Sequence, residues 1–216
     1  MLTVHNAIVN DPELLISKEW LISNGIGGYA SSTVCGVNTR RYHGLLVAAT
    51  HPPVGRLVML SKLEDALIVN GTRFELSTNR YGNDVLHPQG FRNLQQFRLD
   101  PFPVYTFSSE RFVLEKSIYM ARGENTVVIE YSLTSRLSGD DIQLEIAPLI
   151  AFRDYHSTTH ANGAISPSFS ESDGRITLQP YGDLPSLHLA HSADEVVKTG
   201  VWYYSFEYSE ERARGL

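Results

Sequence analysis

One cysteine, Cys35, stands in 216 residues, so no internal disulfide can form and the stapled framework of a small secreted domain is excluded. Basic residues are also sparse. Lys and Arg total 18 against 24 Asp and Glu, for a formal net charge of −6, and Arg40-Arg41 is the one basic cluster. That leaves no basic patch for nucleic acid. No stretch approaches the roughly 20 apolar residues a membrane-spanning helix needs. Met1 to Asn6 lacks a basic segment followed by an apolar one, so no signal peptide is expected, and a cytoplasmic location is the default. No long window repeats apolar residues at i, i+3, i+4 and i+7, and there is no internal repeat or low-complexity linker. One domain over residues 1–216 is expected, with few and short helices.

What the chain does contain is strand pattern. Val127, Ile129, Tyr131 and Leu133 alternate with Glu130 and Ser132, the period of a half-buried strand, with Val128 out of phase. Phe112, Leu114, Ile118 and Met120 share a phase that Lys116 interrupts. Ile142, Leu144 and Ile146 share another. Asn70-Gly71 tolerates the positive φ angles of a type I′ turn and predicts a hairpin over 67–76. Arg122 to Asn125 and Ser172-Asp173-Gly174 predict further turns, and more strands are expected near 43–49, 56–63, 103–108, 187–191 and 200–208. Trp202, Tyr204, Phe206 and Tyr208 would then form an aromatic row on one face. Many short antiparallel strands punctuated by 10 prolines and 16 glycines predict an all-β sandwich or open barrel.

Three polar segments carry chemistry. Asn24-Gly-Ile-Gly27-Gly28-Tyr29 is a backbone-permissive loop. It lacks the Lys-Ser/Thr of a phosphate-binding loop and no helix follows it, so nucleotide binding is discounted. Arg40-Arg41-Tyr42-His43 packs two guanidiniums, a phenol and an imidazole together. These can bind sugar hydroxyls, orient a carboxylate of another domain, or form a polar network that holds the glycine loop. Arg153-Asp154-Tyr155-His156 follows an apolar strand, and Arg153 and Asp154 either pair with each other or reach partners elsewhere. His156 and His160 have a metal-ligand spacing, but on a loop and without a third ligand, so no metal is expected. Cys35 reads as a small buried residue.

The runs Asn24-Gly-Ile-Gly-Gly-Tyr-Ala-Ser31 and Thr39-Arg-Arg-Tyr-His-Gly-Leu-Leu-Val-Ala48 resemble the N-terminal domain of bacterial and archaeal glycogen-debranching enzymes of the amylo-α-1,6-glucosidase kind. Leu60-Ser-Lys-Leu-Glu-Asp65, His87-Pro-Gln-Gly90, Phe97-Arg-Leu-Asp-Pro101, Asn125-Thr-Val127, and Pro148 through His156 follow in that family's order. So the resemblance covers nearly the whole chain. It implies a β-supersandwich, similar to galactose mutarotase, ahead of a glucoamylase-like (α/α)-barrel catalytic domain that is absent from this chain. It further implies hydrolysis of α-1,6-linked glucose at branch points, with the catalytic carboxylates in the barrel and none assigned here. The expected partners are that barrel and glycogen or another branched α-glucan, with no cofactor, nucleic acid or membrane. Asn24, Gly27, Gly28, Tyr29, Arg40, Arg41, Tyr42, His43, Arg153, Asp154 and His156 are the candidate substrate-binding or interdomain residues. Two other functions remain open. One is a self-sufficient glycogen- or maltooligosaccharide-binding module that uses the 202–208 aromatics. The other is a mutarotase-like sugar enzyme with His43, His87 or His156 as acid and base.

Overall fold

The computed structural model describes residues 2–5 and 11–216, and its regular structure is mostly antiparallel strands. One five-stranded sheet runs, in spatial order, β1 (Leu2–His5), β9 (Leu94–Leu99), β10 (Pro103–Ser108), β11 (Phe112–Met120) and β12 (Val127–Ser135). The other main sheet runs β13 (Ile142–Asp154), β5 (Gly55–Val69), β4 (Gly44–His51), β3 (Tyr29–Thr33) and β2 (Glu19–Ser23). Strand β6 (Thr72–Glu75) continues the pairing along β5. A two-stranded ribbon, β7 (Thr78–Tyr81) and β8 (Val85–Gln89), lies apart from these, as does a small sheet of β14 (Phe169–Ser172), β15 (Arg175–Leu178) and β16 (Leu187–Ala190). Two short helices, α1 (Pro12–Ile16) and α2 (Ser209–Ala213), complete the regular structure. No helix among the described residues is long and apolar enough to cross a membrane.

The two main sheets pack face to face as a sandwich, and alternation decides which residues meet. On β11, Phe112, Leu114 and Ile118 point inward and are at most 2% exposed. Phe112 meets Phe74 of β6 edge to face, ring centres 5.1 Å apart. Lys116 keeps the same phase and is buried with them, so the residue that breaks the hydrophobic pattern does not break the strand. Its Nζ lies 2.5 Å from Asp65 Oδ2 on the opposite sheet, and the Tyr131 hydroxyl donates to that same oxygen at 2.7 Å. Burial, with the Asp65 charge beside it, holds the Tyr131 phenol well above its ordinary range. A second polar bridge joins the sheets: Trp20 Nε1 donates to the Tyr105 hydroxyl at 2.6 Å, which donates on to the Thr33 carbonyl at 2.9 Å.

Most predicted strands are present, and the Asn70-Gly71 turn has φ values of 50° and 76°, as its type requires. The strand expected over 200–208 is not. Ser205 takes φ 62°, which breaks the extended course, and Tyr204 is 62% exposed. Only Phe206 makes a bridge, to Tyr81, on whose ring it packs at 5.3 Å. The aromatic row therefore does not exist as a platform. Strand β3 stops at Thr33, and the chain turns at Gly36 with φ 76°. Strands β7, β8 and β9 had no clear pattern in sequence: β8 contains Pro88, and β9 reads Leu-Gln-Gln-Phe-Arg-Leu. Ile142, Leu144 and Ile146 do share a face, but β13 is an edge strand and leaves Leu144 37% and Ile146 42% exposed.

Truncating one member of a buried ion pair strands the other charge, at about 3–5 kcal/mol. Lys116→Met is expected to lower unfolding stability by about that amount in urea titrations. Lys116→Met with Asp65→Leu should recover most of the loss. A single-variant loss below about 1 kcal/mol, the size of an exposed pair, would show that the sheets do not rely on this contact.

Candidate functional site

The glycine loop owes its shape to one buried side chain. Asn24 Oδ1 accepts the amides of Ile26 at 3.1 Å and Gly28 at 2.9 Å. Its Nδ2 donates to the Glu124 carbonyl and to Asn125 Oδ1 in the β11–β12 turn. Asn125 in turn bonds both the amide and the carbonyl of Ala49 on β4. A side chain at Gly28 would place its Cβ 2.4 Å from Asn24 Nδ2 and 2.7 Å from Asn125 Oδ1, so only glycine fits. Gly27, at φ 101°, turns its carbonyl toward Arg56 Nε, 2.6 Å away. Asn24 and Gly28 thus bind one part of the protein to another, whereas Gly27 and Tyr29 face the polar cluster.

That cluster lies on the outer face of the second sheet. Direct cross-strand partners Tyr29, Val47, Val58 and Arg153 form one row across β3, β4, β5 and β13. Val47 and Val58 are fully buried there, beneath Arg153 and the 39–43 loop. Four distant groups fasten this loop. Glu19 Oε1 accepts Thr39 Oγ1 at 3.0 Å and Arg40 Nε at 2.8 Å. Glu211 of α2, 5% exposed, accepts the Arg41 amide at 3.3 Å and lies 3.6 Å from the Arg41 guanidinium. The Glu210 amide donates to the Thr39 carbonyl at 3.0 Å. Arg153, 7% exposed, donates to the carbonyls of Arg41 at 2.6 Å, Ser157 at 2.7 Å and Asp154 at 3.3 Å.

The two polar segments predicted separately therefore meet. The Tyr42 hydroxyl and His156 Nδ1 are 3.1 Å apart, and the Tyr42 ring packs edge-on against Tyr155 and His156, each 5.6 Å between centres. The Tyr29 hydroxyl donates to the Tyr42 carbonyl at 2.8 Å, and burial pushes that phenol up to about 12. Arg41 stacks on Tyr42 and Arg56 on Tyr155, each 5.4 Å from the ring centre. Asp154 does not pair with the Arg153 guanidinium. Its Oδ1 caps the His156 amide at 2.8 Å. Among the described residues neither Arg56 nor Arg153 has a carboxylate within ion-pair distance, although Asp154 lies in the same cluster. Arg56, Glu19 and Glu211 had no signal in sequence, being single charges far along the chain from the motifs they serve.

His43 is sealed beneath the loop at 2% exposure. Its Nδ1 accepts the Thr39 amide at 3.1 Å, so the neutral ring carries its proton on Nε2, 3.5 Å from Glu19 Oε1. Burial drives its pKa down to about 4, against the pull of Glu19. Partial burial works to raise the Glu19 carboxyl, but the bond from Arg40, the nearby His43 and the Thr39 hydroxyl outweigh it and hold the group below its ordinary value. Glu19, Leu21, Tyr29, Arg40 and Tyr42 surround an open hollow of about 270 Å³ beside them. His87, the other histidine considered as an acid or base, is exposed on β8 in the separate ribbon.

The depressed His43 value has a pH consequence. The unfolded chain takes up this proton near its ordinary value of about 6.5, and the folded chain only at about 4. Between the two, the unfolded state binds more protons, so stability falls as pH is lowered through that window, by up to about 1.4 kcal/mol per pH unit. The loss continues below it, where Glu19 protonates. An NMR titration should find His43 neutral down to about pH 4. A His43 midpoint in the ordinary histidine range would show the ring to be hydrated and the loop open.

With this geometry established, comparison with known proteins has a clear result. No curated protein and no solved structure matches the chain. A family model described as "Glycogen debranching enzyme N terminal" matches residues 18–216, which contain the glycine loop, the 39–43 loop, Arg153 to His156 and α2. The chain belongs to the glycogen debranching enzyme N-terminal family.

Proposed function

We propose that this chain is the accessory domain of a debranching glycoside hydrolase that releases α-1,6-linked glucose at branch points, and that the Tyr42–Tyr155–His156 surface adjoins the sugar pocket of a separate catalytic (α/α) barrel. The observation that carries this reading is the convergence of two segments more than a hundred residues apart on one aromatic and guanidinium surface. Two of its cations, Arg56 and Arg153, rest on carbonyls and a phenol and have no carboxylate within ion-pair distance among the described residues. Arg56, which is only half-buried, suits a carboxylate arriving from a neighbouring domain. Tyr155 is covered by Arg56 and His156, and the exposed His156 ring is the one a sugar can meet.

The chemistry itself is assigned to the barrel. Glycoside hydrolysis needs one carboxylic acid held protonated and a second carboxylate facing it. The two carboxyls perturbed in this chain shift the opposite way. Glu19 lies below its ordinary value for the reasons above, and Glu115 does because of its hydrogen bond from Arg98. Each is already engaged by a guanidinium. The barrel would then protonate the glycosidic oxygen with one carboxyl and activate water with another, with inversion at the anomeric carbon as in the glucoamylases it resembles. This domain would contribute pocket shape and polar contacts through Arg41, Tyr42 and His156, with the buried Arg153 holding the loop that carries two of them. His43, being sealed, supports the loop.

Glucose release from a branched limit dextrin tests this. The 216-residue chain is expected to release none, and the longer gene product to release it. In that longer protein, His156→Ala and Tyr42→Ala should lower kcat/KM by about tenfold, the scale of a lost positioning contact of 1.4 kcal/mol, with little change in Tm. Release by the chain alone, or unchanged kinetics in both variants, would overturn the assignment.

A further inference from the structure

We propose that the hollow between Glu19, Leu21 and Arg40 is a subsite that holds one pyranose ring of an α-glucan on this domain, an inference that rests on the debranching reading above. The hollow opens at β2, the edge strand of the second sheet, and shares Tyr29 and Tyr42 with the cluster described above. Its lining has three properties that together select a sugar.

The first is charge. Glu19 contributes one negative charge and Arg40 one positive, while His43 behind them is neutral. The lining is therefore balanced, and a neutral ligand loses least on entering. The second is unused hydrogen-bonding capacity held in fixed geometry. Glu19 Oε1 is filled by Thr39 and Arg40, but Oε2 has no partner among the described residues. Arg40 uses Nε on Glu19 and Nη2, at 3.4 Å, on Glu210, which leaves Nη1 without a partner among the described residues. A hydroxyl can donate to the carboxylate oxygen, and its neighbour on the ring can accept from the guanidinium, so a vicinal diol satisfies both groups. Because Glu19 and Arg40 already hold each other, little side-chain order has to be imposed on binding.

The third is an apolar wall beside the polar one. Leu21 projects from the outer face of β2 and is 59% exposed, although its strand neighbour Trp20 is only 3% exposed. With the Tyr29 and Tyr42 rings it offers a surface for the C–H face of a pyranose. The volume of about 270 Å³ is below the roughly 300 Å³ at which sites for larger organic ligands begin. It therefore has room for a single ring.

Two-dimensional amide NMR of the 216-residue chain, titrated with methyl α-D-glucoside and separately with maltotriose, tests the subsite, with sorbitol as the control polyol. Saturable shifts confined to Glu19–Leu21, Ser31 and Arg40–His43 are expected with both sugars and not with sorbitol. Maltotriose should bind no tighter than the statistical factor for its extra rings. Leu21→Ala, an exposed change that spares the fold, and Glu19→Gln should each weaken binding by about tenfold, as loss of a wall or of a charge-assisted hydrogen bond would. Absence of saturable shifts, shifts on another surface, equal shifts with sorbitol, or affinity unchanged in both variants would overturn the proposal. The two readings fail separately. If the glucoside does not bind but the longer enzyme still depends on Tyr42 and His156, only the subsite falls. If it binds while those variants leave kcat/KM unchanged, only the interdomain role falls.

Discussion

The polar surface depends on holding a five-residue loop, Thr39 to His43, flat against a sheet, and almost all of the fastening comes from elsewhere in the chain. Arg153 grips the Arg41 carbonyl from the opposite edge of the sheet, Glu19 takes Thr39 and Arg40 from β2, and Glu211 takes the Arg41 amide from α2. Each contact fixes backbone or the first atoms of a side chain, so Tyr42 and the Arg40 guanidinium are presented in one arrangement. His43 fits the same logic: deprived of water, it stays neutral and accepts the Thr39 amide that closes the loop on itself. An imidazole so placed holds a shape and is not available to move protons.

The two faces of the second sheet then divide the work. Its inner face packs on the first sheet, and at that boundary a lysine and an aspartate meet where a hydrophobic pair would have served for packing alone. Among the described residues, the outer face carries the 39–43 loop, with α2 fastened to it, and the long side chains of Arg56 and Arg153. Loops over a rigid sheet are where binding groups can vary without disturbing the core. The Asn24–Asn125–Ala49 knot links the two halves, tying the glycine loop and a turn of the first sheet to the strand that carries the polar loop.

Residue types were more legible in the sequence than their meetings. Asn70-Gly71 announced its hairpin because only positive φ suits that turn, and Phe112 to Met120 announced its strand because alternation survives one buried lysine. The 200–208 prediction failed for a local reason: alternating aromatics imitate a strand, and a single left-handed residue, Ser205, undoes it. The polar segments at 40–43 and 153–156 stood out by composition, and the structure joins them. Nothing local could show that Asn24 points away from the cluster into a turn a hundred residues on, or that Arg56, Glu19 and Glu211 complete it. Those are long-range pairings set by sheet register. The family likeness read from the glycine loop and the Thr-Arg-Arg-Tyr-His run is matched over residues 18–216.

The most direct measurement is amide hydrogen exchange in Arg153→Lys, which keeps the buried charge but removes the fork that reaches three carbonyls. Faster exchange, by about tenfold or more, at Thr39, Arg41 and His43, with β4 and β5 still protected, is the expected result. Unchanged protection of the loop would contradict the view that Arg153 holds it, and a uniform loss across the sheet would show that Arg153 supports the fold as a whole and not the loop.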